Sequence, residues 1–281
     1  MNPALTPKQA LLAQLATLTD CPRAFDYACI TARHEHGVKS VDIEEPAMAI
    51  VLQGRKRVHS VGQTLEFGPG DVFLMLRPCR LDVVNIPDPD TGLYLTLAGA
   101  FCKEALQAAR LLWDQHVCND SDDIAKVDVT DLDSELRHWI HAAQAAGLTE
   151  ARLAMTGLLL TLCRRGYTAL LAPPPPSLAA QLREMISAQP GREWQSHHFE
   201  ESLGLSGATL RRRLASENTS LRDVIASARL ACAMNLLYTT RWPVKTVAAS
   251  VGYRSVSSFV QRFIERYGLE PSRIGNASTP P

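Results

Sequence analysis

Apolar and polar residues alternate in short runs between about residues 24 and 101, the pattern of strands joined by turns. Met48 to Gln53 reads as a strand, Gly54-Arg55 as a two-residue hairpin turn, and Lys56 to Ser60 as the returning strand. Thr64 to Phe67, the turn Gly68-Pro69-Gly70-Asp71, and the strands Val72 to Leu76, Leu81 to Ile86 and Leu93 to Leu97 follow. Short strands at this spacing predict a small β-barrel. From Phe101 to Leu171 the period changes to that of helices. Leu132, Leu136, Trp139 and Ile140 form one predicted apolar face; Leu153, Thr156, Leu160 and Cys163 form the next, after a break at Gly147.

Beyond residue 177 every segment reads as helix. Leu178 to Ala188 ends at Pro190-Gly191, Ser196 to Leu203 stops at Gly204, and a third helix starts after Ser206 as N-cap and runs to about Glu217. Ser220 to Thr239 is one long helix; Pro243 opens another that reaches Val251, Gly252 turns the chain, and Ser255 to Tyr267 is the last long helix. The fold class expected is therefore α+β: a barrel with a helical appendage, then an all-α domain.

Charge sharpens the division. Residues 1–176 carry 16 Lys and Arg against 21 Asp and Glu, whereas residues 177–281 carry 13 against 8, so the neutral chain splits into halves of −5 and +5. Only the second half is suited to a polyanion. Between them lies Ala172-Pro173-Pro174-Pro175-Pro176-Ser177, which predicts a stiff polyproline spacer. The domains expected are 1–171 and 177–281, with 172–176 as linker.

Composition excludes several classes. At 281 residues, 46% hydrophobic and 21% charged, the chain is globular. Its apolar runs are too short and proline-rich for a bilayer, and Met1 to Asp20 lacks the layout of an export signal, so a cytoplasmic protein without a membrane partner is expected. Seven scattered cysteines with no CxxC pair predict thiols, not a disulfide framework or zinc ribbon.

The chemistry concentrates in Ser196 to Glu217, SHHFEESLGLSGATLRRRLASE. Two short helices flank Gly204, and Leu210 and Leu214 lie four apart on one face, so Arg211, Arg212 and Arg213 fan outwards. A helix-turn-helix needs this division between a docked apolar face and cationic donors for the major groove. The alternative is a solvated arginine face. The layout recurs about 48 residues later in Val244 to Tyr267, VKTVAASVGYRSVSSFVQRFIERY, anchored by Val247, Val251, Phe259 and Phe263. A joining helix of about 20 residues spans about 30 Å, close to the one-turn spacing of successive major-groove windows.

Residues 177–276 resemble the DNA-binding domain of the AraC/XylS family of bacterial regulators. The resemblance rests on LSGATLRRRL (205–214), TSLRDVIASARLACAMNLL (219–237) and VGYRSVSSFVQRFIERYGLEPS within 247–272. It implies a seven-helix domain, two recognition helices in successive major grooves, and base-reading positions at Ala208, Arg211 and Arg212 and at Ser257, Ser258 and Gln261. Thr209, Arg213 and Arg262 complete the expected DNA-binding set, the two arginines for phosphate or for pairing inside the domain. Glutamine at 261 departs from the family's commoner arginine; it suits adenine, the alternative being that this helix contributes less to specificity.

Glu45 to Arg57 followed by Gly68-Pro69-Gly70-Asp71 is similar to the family's cupin-like N-terminal domain, covering residues 24–101. That resemblance implies dimerisation or reception of a small molecule. Cys79, Arg80 and Tyr94 sit where strands line a barrel interior, with Arg80 and Tyr94 the candidate effector contacts and core or surface roles the plainer reading. His34-Glu35-His36 has the form of a cupin metal motif, but the later glutamate is missing and only His59 follows, so neither metal nor cofactor is expected. A cupin-class enzyme and a small dimeric adaptor are the competing readings; no catalytic residues are expected. The partners expected are promoter DNA, RNA polymerase, a second copy of the chain and a small-molecule effector.

Overall fold

A computed structural model describes residues 5–19, 27–60, 63–118, 122–145, 147–173 and 177–274. The chain divides into two compact units, Met1–Pro174 and Pro175–Pro281. The division falls inside the proline run, of which residues 174–176 lie outside the described set. Cys21 also lies outside it.

The first unit opens with helix α1 (Pro7–Ala16), started by a Thr6 capping box. Strands β1 (Ala28–Ala32), β2 (His36–Ile43), β3 (Ala47–Gln53), β4 (Arg55–Ser60), β5 (Gln63–Phe67), β6 (Asp71–Met75), β7 (Cys79–Ile86) and β8 (Tyr94–Ala100) follow. Helix α2 (Lys103–Leu112), strand β9 (Ile124–Asp128), and helices α3 (Asp133–Gln144) and α4 (Leu148–Arg164) complete it. The strands form two sheets, β1-β8-β3-β6-β9 and β2-β7-β4-β5, so the expected small barrel is a sandwich of two sheets and does not close.

The reason lies in two corners. Gly54-Arg55 is not a hairpin turn, because β3 pairs with β6 and β8 while β4 pairs with β5 and β7. Gly54, at φ 74°, carries the chain from one sheet to the other, and a Cβ there would lie 2.5 Å from the Ile86 carbonyl oxygen and 3.1 Å from Tyr94 Cα. Only glycine fits that conformation and that approach. The Gly68–Asp71 turn makes the second crossing, fastened by the Gly68 N–H on the Asp71 carboxylate.

The five-stranded sheet is covered on both faces. Met48 and Ile50 pack with Leu136, Trp139 and Leu159 of the helices, while Ala49 and Val51 face the sandwich interior with Val58, Phe67 and Tyr94. Burial on both sides explains why β3 is a continuous apolar run. Two helical expectations need correction. Residues 101–171 include β9, which pairs antiparallel with β6 and whose flanking aspartates hide it in the sequence. On α4 the buried residues are Ala151, Thr156, Leu158, Leu159, Leu162 and Cys163, whereas Leu153 is 66% exposed.

The second unit comprises α5 (Leu178–Ala188), α6 (Ser196–Leu203), α7 (Gly207–Ser216), α8 (Leu221–Thr239), α9 (Val244–Ser250) and α10 (Val256–Tyr267). In place of a seventh α-helix, the described residues end in a single 3-10 turn, Pro271–Arg273. Ser177, Ser206, Ser220 and Ser255 cap α5, α7, α8 and α10, each accepting a backbone N–H through its hydroxyl. Serine caps satisfy N–H groups that the helix itself leaves unpaired.

Candidate nucleic-acid interface

Helix α6, Gly204 in the left-handed conformation (φ 63°), and α7 form the first helix-turn-helix unit. Leu210 and Leu214 are buried against Leu182, Ile186, Phe199 and Val224. Successive residues on a helix turn by about 100°, so this buried side places Ala208 and Arg212 outermost, with Arg211 and Arg213 on opposite flanks. Ala208, Arg211, Arg212 and Arg213 are all exposed, and Thr209 is half-buried with its hydroxyl against the Ser206 cap. Among the described residues, none of the three arginine side chains has a hydrogen-bond or ion-pair partner within the chain.

The second unit repeats the plan with α9, Gly252 (φ 84°) and α10. Phe259 and Phe263 are fully buried, their rings 5.5 Å apart. Ser257, Ser258 and Gln261 face solvent and Arg262 is half-buried. The electrostatics differ from those of α7: the Gln261 side-chain amide donates to Glu265 Oε1 at 2.9 Å, one turn along the same face. Val256 and Ile264 add exposed apolar surface, at 38% and 37%. The first recognition helix is strongly cationic, the second nearly neutral.

Two residues that the sequence reading passes over hold these units in place. Arg229, in the middle of α8, donates from Nε to the Pro190 carbonyl, from Nη2 to that of Arg192 and from Nη1 to that of Gly252, at 3.0, 2.8 and 3.2 Å. It ties the loop before α6 to the turn of the second unit, and its signal was an arginine inside an apolar helix run. Glu217, the C-cap of α7, accepts from the Leu178 and Ala179 N–H groups at 2.7 and 3.0 Å and from the Ser177 hydroxyl at 2.8 Å. Burial pushes its carboxyl up, but the Ala179, Leu178 and Ser177 hydrogen bonds outweigh that and hold it below its ordinary value. No local pattern marks Glu217, since its partners are 38–40 residues away.

In the first unit the candidate effector contacts separate. Tyr94 is fully buried inside the sandwich, whereas Arg80 points outward, its side chain 62% exposed and paired with Asp42 at 2.8 Å. Burial, then the Asp123 charge, push the Cys79 thiol up to about 11. The two histidines of the metal-like motif do not share a strand face: His34 lies in the exposed bend before β2, and the buried His36 bonds through Nδ1 to the His34 carbonyl. Among the described residues no three His, Cys, Asp or Glu side chains gather into a metal-sized cluster. No helix of the described residues is long and apolar enough to cross a membrane.

A pair of helix-turn-helix units on one connecting helix, preceded by a β-sandwich unit, defines a two-part helix-turn-helix protein. The model of the AraC-type transcriptional regulator N-terminus matches residues 29–144, and that of a helix-turn-helix domain matches residues 200–277. The chain belongs to the AraC-type family of transcriptional regulators. It is similar to the HTH-type transcriptional regulators YdeO and GadX of Escherichia coli K12, at 26% identity over 110 residues and 29% over 103. Those matches cover 39% and 37% of this chain, and only 43% and 38% of the two relatives' lengths. Among solved structures, apo and unsaturated-fatty-acid-bound ToxT of Vibrio cholerae superpose with TM-scores of 0.61 and 0.60. Each superposition covers 88% of this chain and 94% and 92% of ToxT, at 15% and 14% identity, which shows a shared fold.

Proposed function

We propose that this protein is a cytoplasmic, sequence-specific DNA-binding regulator that reads two successive major grooves of promoter DNA through α7 and α10. The observation that carries the reading is the arginine face of α7, exposed and, among the described residues, without acidic partners, on a helix whose other side is firmly docked. Arginine forks there recognise guanine and neutralise phosphate. Helix α8, 19 residues and about 28 Å long, is of a length that suits two recognition helices in successive grooves. Ser257, Ser258 and Gln261 supply the second, less charged reading surface. Acting at promoters implies RNA polymerase as a further partner.

Control belongs to the first unit, through a small molecule or through dimerisation. The fold shared with a fatty-acid-bound ToxT supports an effector, and Tyr94 is the candidate that remains inside the sandwich. Exposed Leu111 and Leu112 on α2 and Leu148 and Leu153 on α4, at 87%, 65%, 50% and 66%, support a second copy as partner.

The test is a titration of Arg211→Ala, Arg212→Ala and Arg213→Ala against a selected duplex and its scrambled counterpart at two salt concentrations. Loss of a bidentate guanine contact costs about 1–3 kcal/mol of discrimination, so Arg211→Ala and Arg212→Ala should lower the specific-to-scrambled ratio roughly 5- to 150-fold. Loss of a phosphate contact at Arg213 should lower both affinities together and reduce the salt slope by about one. Unchanged ratios for the first two variants would remove base reading from α7.

A further inference from the structure

The two recognition helices present different chemistry, and on α10 it consists of one amide and an edge of methyl groups. Successive residues turn by about 100°, so outward from the buried Phe259, Phe263 and Tyr267 the surface runs Val260, Ile264, Ser257, Gln261, Glu265. With Val256 these residues line one open groove along the helix. Val256 and Ile264 are exposed and Val260 is half-buried. An apolar edge and a polar edge therefore run side by side, with Gln261 and Glu265 outermost.

The Gln261 amide is already half committed. It donates one hydrogen to Glu265 Oε1 at 2.9 Å, one turn along the helix. A glutamine amide has two N–H donors and a carbonyl acceptor, so one N–H and the oxygen remain. Adenine shows the major groove the complementary pair, the N7 acceptor and the N6 amino donor. Guanine shows two acceptors, N7 and O6, which would need both amide hydrogens. The bond to Glu265 takes one of them, so the contact that holds the amide ready for adenine withholds it from guanine. On electrostatics alone a carboxylate on this face weakens binding to every sequence alike, because DNA is a polyanion.

We propose that α10 reads an adenine flanked by thymines, with Gln261 on the adenine, Glu265 positioning its amide, and Val256, Val260 and Ile264 against thymine methyl groups. Thymine alone carries a methyl group into the major groove, and apolar side chains contact it there. The first residues of a recognition helix meet the base edges, which puts Val256 and Val260 ahead of Ile264. The cationic α7 then supplies guanine reading and phosphate attraction, and α10 selects a half-site of A·T pairs. The proposal rests on the regulator reading above and names the sequence class of the second half-site.

The experiment uses the full chain and duplexes selected with it from a random library. A guanine scan across the adenines of the selected site should find one position where the parent loses about 5- to 150-fold in affinity, the worth of one bidentate base contact. Gln261→Ala should lose nothing further at that position. Glu265→Ala should lose most of the adenine preference, whereas Glu265→Gln, whose own carbonyl can accept the amide hydrogen, should retain it. Both Glu265 variants remove one negative charge and should gain affinity for scrambled DNA equally, so the difference between them reports the orientation of Gln261. A merely structural pair on the helix surface would leave the adenine-to-guanine ratio unmoved in both. Replacing single thymines of that half-site by uracil removes the methyl group and should lower affinity about 4-fold. Combining Val256→Ala with Ile264→Ala should flatten this thymine-to-uracil difference. An adenine preference that survives Glu265→Ala, or indifference to uracil in the parent, overturns the proposal; the second result would give the apolar edge to a protein partner instead. Absence of sequence-specific binding by the parent defeats the regulator reading and this site with it, whereas specific binding with unmoved ratios defeats this site alone.

Discussion

Replacing Glu217 by alanine should loosen the second unit at the point where the chain enters it. The Glu217 carboxylate accepts three hydrogen bonds within 3.0 Å, two of them from the first N–H groups of α5, while its own backbone N–H closes the last turn of α7. Ser177 caps α5 as well, bonding the Ala180 N–H, so the variant keeps part of the cap. Hydrogen bonds to a charged group contribute about 1.5–3 kcal/mol each where water cannot replace them, and a helix cap is worth about 1 kcal/mol. For this half-buried site a loss of about 2–3 kcal/mol follows. A unit of roughly 100 residues loses about 4–8 °C per kcal/mol, so its calorimetric transition should fall by roughly 10–20 °C. Amide exchange at Leu178 and Ala179 should accelerate with it. The pH dependence has a definite sign. The folded carboxyl lies below the ordinary 4.5, so its contribution is full above that value and is lost as the pH falls through the depressed one. The difference between parent and Glu217→Ala should therefore shrink as the pH falls below that ordinary value. A transition within about 2 °C of the parent at neutral pH, or a difference undiminished in acid, would refute the carboxylate cap.

Two further outcomes are expected. Gly54→Ala forces a left-handed conformation and a 2.5 Å approach to the Ile86 carbonyl; urea unfolding should show a loss of about 2–4 kcal/mol in the first unit, and a neutral result would mean that the corner relaxes freely. If α2 and α4 form a dimer surface, light scattering of the full chain should give twice the monomer mass, and Leu148→Glu with Leu153→Glu should return it to one. A parent that is monomeric at high concentration removes that surface.

Much of the second unit was legible residue by residue. The serine cap at 206, glycine at 204 and 252, and apolar pairs at 210/214 and 259/263 are local signals, and the structure uses each where the pattern puts it. The exposed arginines of α7 follow from the same helical period. In the first unit the strands were legible, but not their partners. Alternation tells which residues share a face of a strand, not which sheet the strand joins, so Gly54 read as a hairpin and β9 vanished into a helical stretch. Leu153 misled the reading of α4 because a helix hydrophobic on several sides does not announce which side is covered.

What the sequence determined by itself was therefore the change from strands to helices along the chain, the opposite charges of the two halves and the two helix-turn-helix units, set by composition and by signals a few residues apart. Tertiary structure decided the sandwich in place of a barrel, the tie from Glu217 to the start of α5, the Arg229 bridge 23–39 residues from its partners, and the burial of Lys56 beside Asn85. Each of these depends on groups brought together across long stretches of chain. A lysine on a strand is ordinary until its neighbours across the sheet are known, and only the folded register sets Lys56 against Asn85.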